Sequence, residues 1–451
     1  MRLITFKKLD IIFRDLDDVI IIKNIRLNEI LTLENVSADI WRYIASKPNV
    51  EFIDLATHIS NIYNIGTSDI INDIELFIDE LYKSGVILIN GKYFDHHLAN
   101  KTSIQHHQQD IEGQIIKLYQ TRDIVSSVTF ELTYSCNEKC IHCYANYPNN
   151  SNKKRKLTLK QLQNVINDLF QMKCMHISFT GGDPFMFADF VDLFEYARNL
   201  GFSCDIYTNA VYLADHPDIL TRILSLKPQA IFISLYGADA ETHESITNTP
   251  NTFNKTISSI KAIRDAGTPV ILNIMLLKNN VDKLNSIISL VKELNVEYRI
   301  GMSLIYKNDG NDSPMNYFIN NKDAIKKVLT IERQRFFSID QQIGNNNRDF
   351  FCNAARTSLA ISPDGTVYPC ISLKIIMGNI CNESISGIWR SEQRIKLLSY
   401  LSWENAKQCK ECKHLDKCPH CIGISQSETG DMFSCNTCDK MIAECMDEIN
   451  Y

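Results

Sequence analysis

The distribution of cysteine constrains this chain more than any other feature. Fifteen cysteines occur in 451 residues; ten crowd between Cys352 and Cys445, and three form the short run Cys136-Asn-Glu-Lys-Cys140-Ile-His-Cys143. Near the start, Arg2, Lys7 and Lys8 lead into a stretch where apolar residues alternate with Asp10, Arg14, Asp15, Asp17 and Asp18, so no export-signal core forms. A cytoplasmic location is expected on that ground. Reducing conditions keep thiols free, which makes a disulfide framework a poor explanation for so many cysteines and metal or cluster ligation the leading one.

Length alone implies about two to four domains, since one hydrophobic core stops growing well below this size. With 45% hydrophobic and 22% charged residues, the composition is that of a folded protein. No apolar run is long enough to span a bilayer, so no membrane partner is expected. A formal charge of −6 offers no general basic face for phosphate, so no nucleic-acid partner is expected either.

Residues 1–98 read as a separate module. Short strands are expected near Leu9–Phe13, Val19–Ile22 and Glu29–Leu33, followed by three helices. In the third, Ile70, Ile74, Phe77, Ile78 and Leu81 recur on one face; Thr67, Ser68 or Asp69 can cap its start, and Gly85 stops it before a final strand, Val86–Asn90. Strands, three helices and a wing make a winged helix-turn-helix. Residues 99–125 read as a linker.

From about Ser126 the pattern changes to strands alternating with amphipathic helices. Strands are expected at Val128–Leu132, Ile177–Thr180, Asp205–Thr208, Ala230–Leu235, Val270–Leu276 and Arg299–Leu304, with helices such as Leu159–Met172, Phe253–Ala266 and Val281–Leu294 between them. Six β/α units with right-handed crossovers make a parallel sheet, here an open partial (β/α)6 barrel over residues 126–306 with its site at the strand C-terminal ends. A connector over 307–350, with a helix around Lys322–Phe336, leads to the Cys-rich region 351–451, which metal rather than apolar packing is expected to hold together.

The three-cysteine run follows the first barrel strand directly. Three thiolates on one loop hold three irons of a [4Fe–4S] cluster and leave the fourth open, whereas full ligation needs a fourth cysteine. An open iron can chelate the amino and carboxylate groups of S-adenosylmethionine (SAM) and pass an electron into its sulfonium. The competing reading is a zinc knuckle or buried free thiols, but zinc prefers a completed tetrahedron with cysteine pairs repeated downstream.

On these residues the chain resembles the radical SAM superfamily, with His142 at the ring-bearing position before the last cysteine. Gly181-Gly182-Asp183-Pro184 is similar to the family's Gly-Gly-Glu-Pro segment, whose backbone meets the SAM amino group. Thr208 and Asn209, Ser234 and Asn273 stand at strand ends where relatives bind the ribose and carboxylate, and Gly301, after Ile300, at the position near adenine. The resemblance implies reductive cleavage of SAM to a 5′-deoxyadenosyl radical, with electrons from a donor such as flavodoxin or ferredoxin. No catalytic acid or base is identified.

Downstream, Cys352, Gly365-Thr-Val-Tyr-Pro-Cys370 and Cys409-x2-Cys412-x5-Cys418-x2-Cys421, with Cys435 and Cys438 beyond, resemble the SPASM extension, which carries two auxiliary [4Fe–4S] clusters. The family's crossed ligation implies Cys352, Cys370 and Cys421 for the first and Cys409, Cys412, Cys418 and Cys438 for the second. Cys435 competes with Cys438 as last ligand, and no fourth ligand for the first cluster is evident. A zinc ribbon on the CxxC pairs is the alternative. Cys174, Cys204, Cys381 and Cys445 read as small apolar residues.

The module also resembles the precursor-recognition element of ribosomal-peptide maturases, a relative of the small peptide chaperone of pyrroloquinoline quinone biosynthesis. Residues Ser37-Ala-Asp-Ile-Trp41 and Leu81-Tyr-Lys-Ser-Gly85 carry this likeness. In that family a leader peptide adds a strand to the module, here at Glu29–Leu33, against its third helix. DNA binding is disfavoured because that helix carries Asp69, Asp73, Glu75, Asp79 and Glu80 against Lys83 alone. Together these likenesses imply a maturase of a ribosomal precursor peptide that forms cysteine thioethers, as sactipeptide synthases do. Carbon–carbon crosslinking, epimerisation or sulfatase maturation would use the same parts, and a redox-sensing winged-helix regulator is the non-enzymatic alternative.

Overall fold

The computed structural model describes residues 2–94, 105–145, 157–336 and 352–449. Its chain divides into two compact units: residues 1–126 with 170–175 and 196–203, and the remainder.

In the first unit, β1 (Leu3–Thr5) pairs antiparallel with β5 (Val50–Glu51) and β6 (Leu88–Ile89). A second antiparallel sheet runs β2 (Ile11–Asp15), β3 (Val19–Asn24), β4 (Glu29–Glu34). Three helices follow: α1 (Asn35–Ser46), α2 (Phe52–Tyr63) and α3 (Thr67–Lys83). This is the expected winged-helix order. The two-residue β5 and three-residue β1 escaped the sequence reading because strands so short show no alternation. Helix α3 buries Ile74, Ile78 and Leu81, against a core centred on the fully buried Trp41. Its end is a Schellman turn. Gly85 takes φ +67° and donates to Tyr82 O, while Val86 N donates to Leu81 O at 3.0 Å. At the start, none of the three polar candidates serves as N-cap; Gly66 does, and Asp69 folds back over it.

The stretch read as linker contains a helix, α4 (Gln105–Thr121). Ile115, Leu118 and Tyr119 recur at helical spacing and pack with Ile12, Val19 and Ile21 of the β2–β3 hairpin.

The second unit is built on a parallel sheet of β7 (Ser127–Glu131), β8 (His176–Thr180), β9 (Ser203–Thr208), β10 (Ala230–Ser234), β11 (Val270–Met275) and β12 (Glu297–Gly301). Helices α5 (Leu159–Gln171), α6 (Phe190–Asn199), α7 (Val211–Asp215), α8 (Pro217–Ser225), α9 (Ala240–Thr247), α10 (Phe253–Asp265) and α11 (Leu284–Leu294) connect these strands. Five of the six strands lie within two residues of the expected bounds. The last starts earlier and ends at Gly301, three residues short of Leu304.

The first strand of the Cys-rich region, β13 (Ser358–Ile361), lies parallel to β7 and extends the barrel sheet through antiparallel β14 (Thr366–Tyr368) and β15 (Gly378–Asn379). Ser358-Leu-Ala-Ile is too short to announce its partner, and parallel pairing is set by contacts far away in sequence. The connector helix α12 covers Lys322–Phe336, as expected, and the part of the connector after it, 337–350, lies outside the described residues. Among the described residues no helix is long and apolar enough to cross a membrane.

Candidate active site

Strand pleating decides what the barrel interior offers. Along β10, Ile231 and Ile233 are buried on one face, while Phe232 and Ser234 face a cavity; residues two apart share a side. The cavity, of about 780 Å³, opens at the C-terminal ends of the strands and is lined by the cysteine run together with Thr180, Asn209, Asn273 and Gly301 among others.

Two loops meet there. Leu132 N donates to Thr180 O at 2.9 Å, Gly182 N to Thr133 O at 2.6 Å and Asp183 N to Ser135 O at 3.0 Å, which lays the Gly-Gly-Asp-Pro segment along the residues before Cys136. Only glycine permits this approach. A Cβ on Gly181 (φ +143°) would stand 2.3 Å from Thr133 O, and one on Gly182 2.3 Å from Ser135 O.

Of the nine residues expected at the SAM site, Gly181, Gly182, Thr208, Asn209, Ser234, Asn273 and Gly301 line the cavity. Asp183 and Pro184 do not: both are buried behind it. The Asp183 carboxylate accepts Thr208 Oγ1 at 2.6 Å, Asn209 N at 3.0 Å and Phe185 N at 3.0 Å, so it ties the glycine segment to the end of β9. Burial pushes its pKa up to about 6 against those three donors. Asn209 reaches the other loop, donating to Asn137 Oδ1 at 2.6 Å and toward Cys136 Sγ at 3.6 Å.

The sulfurs fall into three sets, in which, besides burial, neighbouring thiols help raise the pKa of Cys136 and Cys140, of Cys352 and Cys370, and of Cys409 and Cys418. Cys136, Cys140 and Cys143 form the first, Cys352, Cys370 and Cys421 the second, and Cys409, Cys412, Cys418 and Cys435 the third. The groupings are loose: among the described residues no three Cys, His, Asp or Glu side chains are gathered to hold a single metal ion. A four-iron cluster spreads its ligands over a larger body than one ion does. The donor chemistry fits such a group. Burial pushes the Cys136 thiol up to about 12 and Cys140 well above its ordinary value, a cost to the thiolate that iron ligation would offset. Backbone amides already point at the sulfurs: Glu138 N donates to Cys136 Sγ at 3.4 Å and Leu373 N to Cys370 Sγ at 3.3 Å, the contacts that tune cluster potential.

Cys438, the family-based choice for the last auxiliary ligand, lies apart from the third set. It is fully buried among Tyr236, Leu304 and Phe318, and its sulfur accepts Leu304 N at 3.5 Å. Cys435 takes the place beside Cys409, Cys412 and Cys418, together with His420 and Trp403. Cys435→Ser is therefore expected to remove about four irons and the signal of one auxiliary cluster, while Cys438→Ser leaves the iron content unchanged; anaerobic iron analysis and electron paramagnetic resonance (EPR) read the difference. Cys174 and Cys445 behave as ordinary thiols, donating to Ser126 O at 3.4 Å and Lys322 O at 3.7 Å.

Several functional neighbours were missed by the sequence reading. Tyr207, Phe232 and Arg299 line the cavity one pleat below Asn209, Ser234 and Gly301, and counting back two residues would have found them. Tyr207 stacks on Phe232 at 4.4 Å, with the Arg299 guanidinium 4.9 Å from the same ring. Glu131, at the end of β7, is completely buried; it accepts Tyr144 Oη at 3.0 Å and Lys374 Nζ at 2.9 Å. That pair joins the loop beyond Cys143 to the loop beyond Cys370, and no sequence pattern announces a contact 243 residues apart.

Comparison with known proteins accords with this geometry. The Radical SAM superfamily profile matches residues 130–291, and the SPASM iron-sulfur cluster-binding domain matches residues 352–419. The AdoMet-dependent heme synthase of Methanosarcina barkeri is 24% identical over 329 residues, 67% of this chain and 93% of that protein. Mycofactocin maturase MftC of Mycolicibacterium smegmatis is 24% identical over 317 residues, 64% of this chain and 76% of its own. Among solved structures, Streptococcus suis SuiB bound to its precursor peptide SuiA superposes with a TM-score of 0.61 at 14% identity, covering 98% of this chain and all of that one. The chain carries a radical SAM domain followed by a SPASM iron–sulfur domain, whose cofactors are S-adenosylmethionine and several [4Fe–4S] clusters.

Proposed function

We propose that this protein matures a ribosomally made precursor peptide by joining a cysteine sulfur to a backbone or side-chain carbon. The N-terminal module would hold the leader, by strand addition at β4 against α3. The barrel would hold SAM at Gly181, Gly182, Thr208, Asn209, Ser234, Asn273 and Gly301. Cys136, Cys140 and Cys143 would carry the SAM-binding cluster, and the other two thiol sets the auxiliary clusters. When bound, these groups supply one-electron cleavage of SAM and an acceptor for the electron released by the substrate.

One observation carries the thioether reading. All fifteen cysteines are described, and among them no fourth groups with Cys352, Cys370 and Cys421, which would leave an auxiliary cluster a position for a substrate thiol. The peptide reading draws its support from the fold likeness to SuiB, which runs over 98% of the chain and so takes in the N-terminal module. Each crosslink removes one hydrogen from carbon and one from sulfur. Anaerobic coexpression with a candidate short cysteine-containing precursor peptide should give a product about 2 Da lighter per crosslink, with the cysteine no longer alkylated. An unchanged peptide mass rules out crosslinking. A lighter peptide whose cysteine still alkylates replaces the thioether with a carbon–carbon bond.

A further inference from the structure

Glu138 lies between two of the loop cysteines, yet its side chain is only 2% exposed. Its Oε2 lies 3.6 Å from Cys140 Sγ, and its Oε1 has no hydrogen-bond partner. A buried carboxylate with an empty oxygen is expensive, and an apolar residue would fill the same space at lower cost. His243, on α9, approaches that oxygen; it is 1% exposed and likewise missing a partner at Nε2.

The histidine tautomer follows from its other nitrogen. Nδ1 receives the backbone N–H of Tyr236 at 3.2 Å, so it is the acceptor and the proton sits on Nε2. That nitrogen lies 3.9 Å from Glu138 Oε1, longer than a hydrogen bond. The two elements are already docked by their backbones: Lys139 N donates to Thr247 O and Ile141 N to Ile246 O, both at 2.9 Å. The side chains of Glu138 and His243 add a third approach between the two elements, from inside the loop.

We infer that His243 is a positioning residue for the SAM-cluster loop, holding Glu138 by its free oxygen so that the other oxygen is kept from closing on Cys140 when that sulfur is bound to iron. The inference rests on the loop carrying the SAM cluster. Without His243 the carboxylate would be left beside a ligand sulfur, that of Cys140, and disturb the cluster from inside its own loop.

The test uses the full chain, reconstituted anaerobically with iron and sulfide, in the wild type, His243→Phe and His243→Gln. His243→Phe keeps the ring and loses the donor, whereas the glutamine amide can still reach Oε1. EPR of the reduced protein, recorded with and without SAM, is read with iron content and a thermal melt. The expected result is that His243→Phe loses or distorts only the SAM-responsive signal, up to about four irons, with the auxiliary signals intact and the glutamine variant close to wild type. Unchanged SAM-responsive signals in His243→Phe overturn the inference. So does a parallel loss of all signals with a lowered melting temperature in both variants, because that reports a general packing role. A wild type with no SAM-responsive signal would instead overturn the reading of the loop itself.

Discussion

Replacing Cys136, Cys140 and Cys143 together by alanine is expected to lower bound iron from about twelve to about eight atoms per chain and to abolish 5′-deoxyadenosine formation. The three thiols line the same cavity as the glycine segment and Asn209, and none of them is shared with the other two sulfur sets. The remaining eight irons should survive because those sets belong to the SPASM region and draw their hydrogen bonds from it. Iron and sulfide analysis with a SAM-cleavage assay checks both halves of the expectation. Loss of all iron would mean that the three sets assemble as one cooperative unit.

The second large effect is expected at the glycine pair. In Gly181→Ala the new Cβ would meet Thr133 O at 2.3 Å while the residue keeps φ +143°, so the segment must swing away from the loop before Cys136. SAM binding should weaken by at least about tenfold, or ~1.4 kcal/mol. Gly267→Ala is the matched control. It also forces an alanine into positive φ, at +78°, but its Cβ meets nothing within 4 Å. That variant should lose stability on the order of 1 kcal/mol and bind SAM as the wild type does. Equilibrium binding of SAM to the reconstituted protein separates the two.

Most of the fold was legible because each element announces itself locally. Ile70, Ile74, Phe77 and Leu81 mark α3, Gly85 its end, and the alternation of short apolar strands with helices marks the six parallel strands. What was not legible depends on partners distant in sequence. Residues Ser358–Ile361 carry nothing that names β7 as their neighbour, and α4 was passed over because its few apolar positions sit in a polar stretch. The site followed the same division. The cysteine spacing and the glycine pair are local signatures, whereas Asp183 points away from the cavity because its carboxylate bonds to Thr208 and Asn209. The choice between Cys435 and Cys438 turned on three residues in the last turns of chain. The packing of Cys438 against Leu304, and the place of Cys435 beside Cys409, Cys412 and Cys418, separate them.

The most direct measurement is metal and sulfide analysis of the anaerobically purified wild-type protein, followed by incubation with SAM and a strong reductant. About twelve irons with matching sulfide and steady release of 5′-deoxyadenosine are the predicted result. Bound zinc with no cleavage of SAM would contradict the account, since the cysteines would then be structural and the cavity would have no radical to deliver.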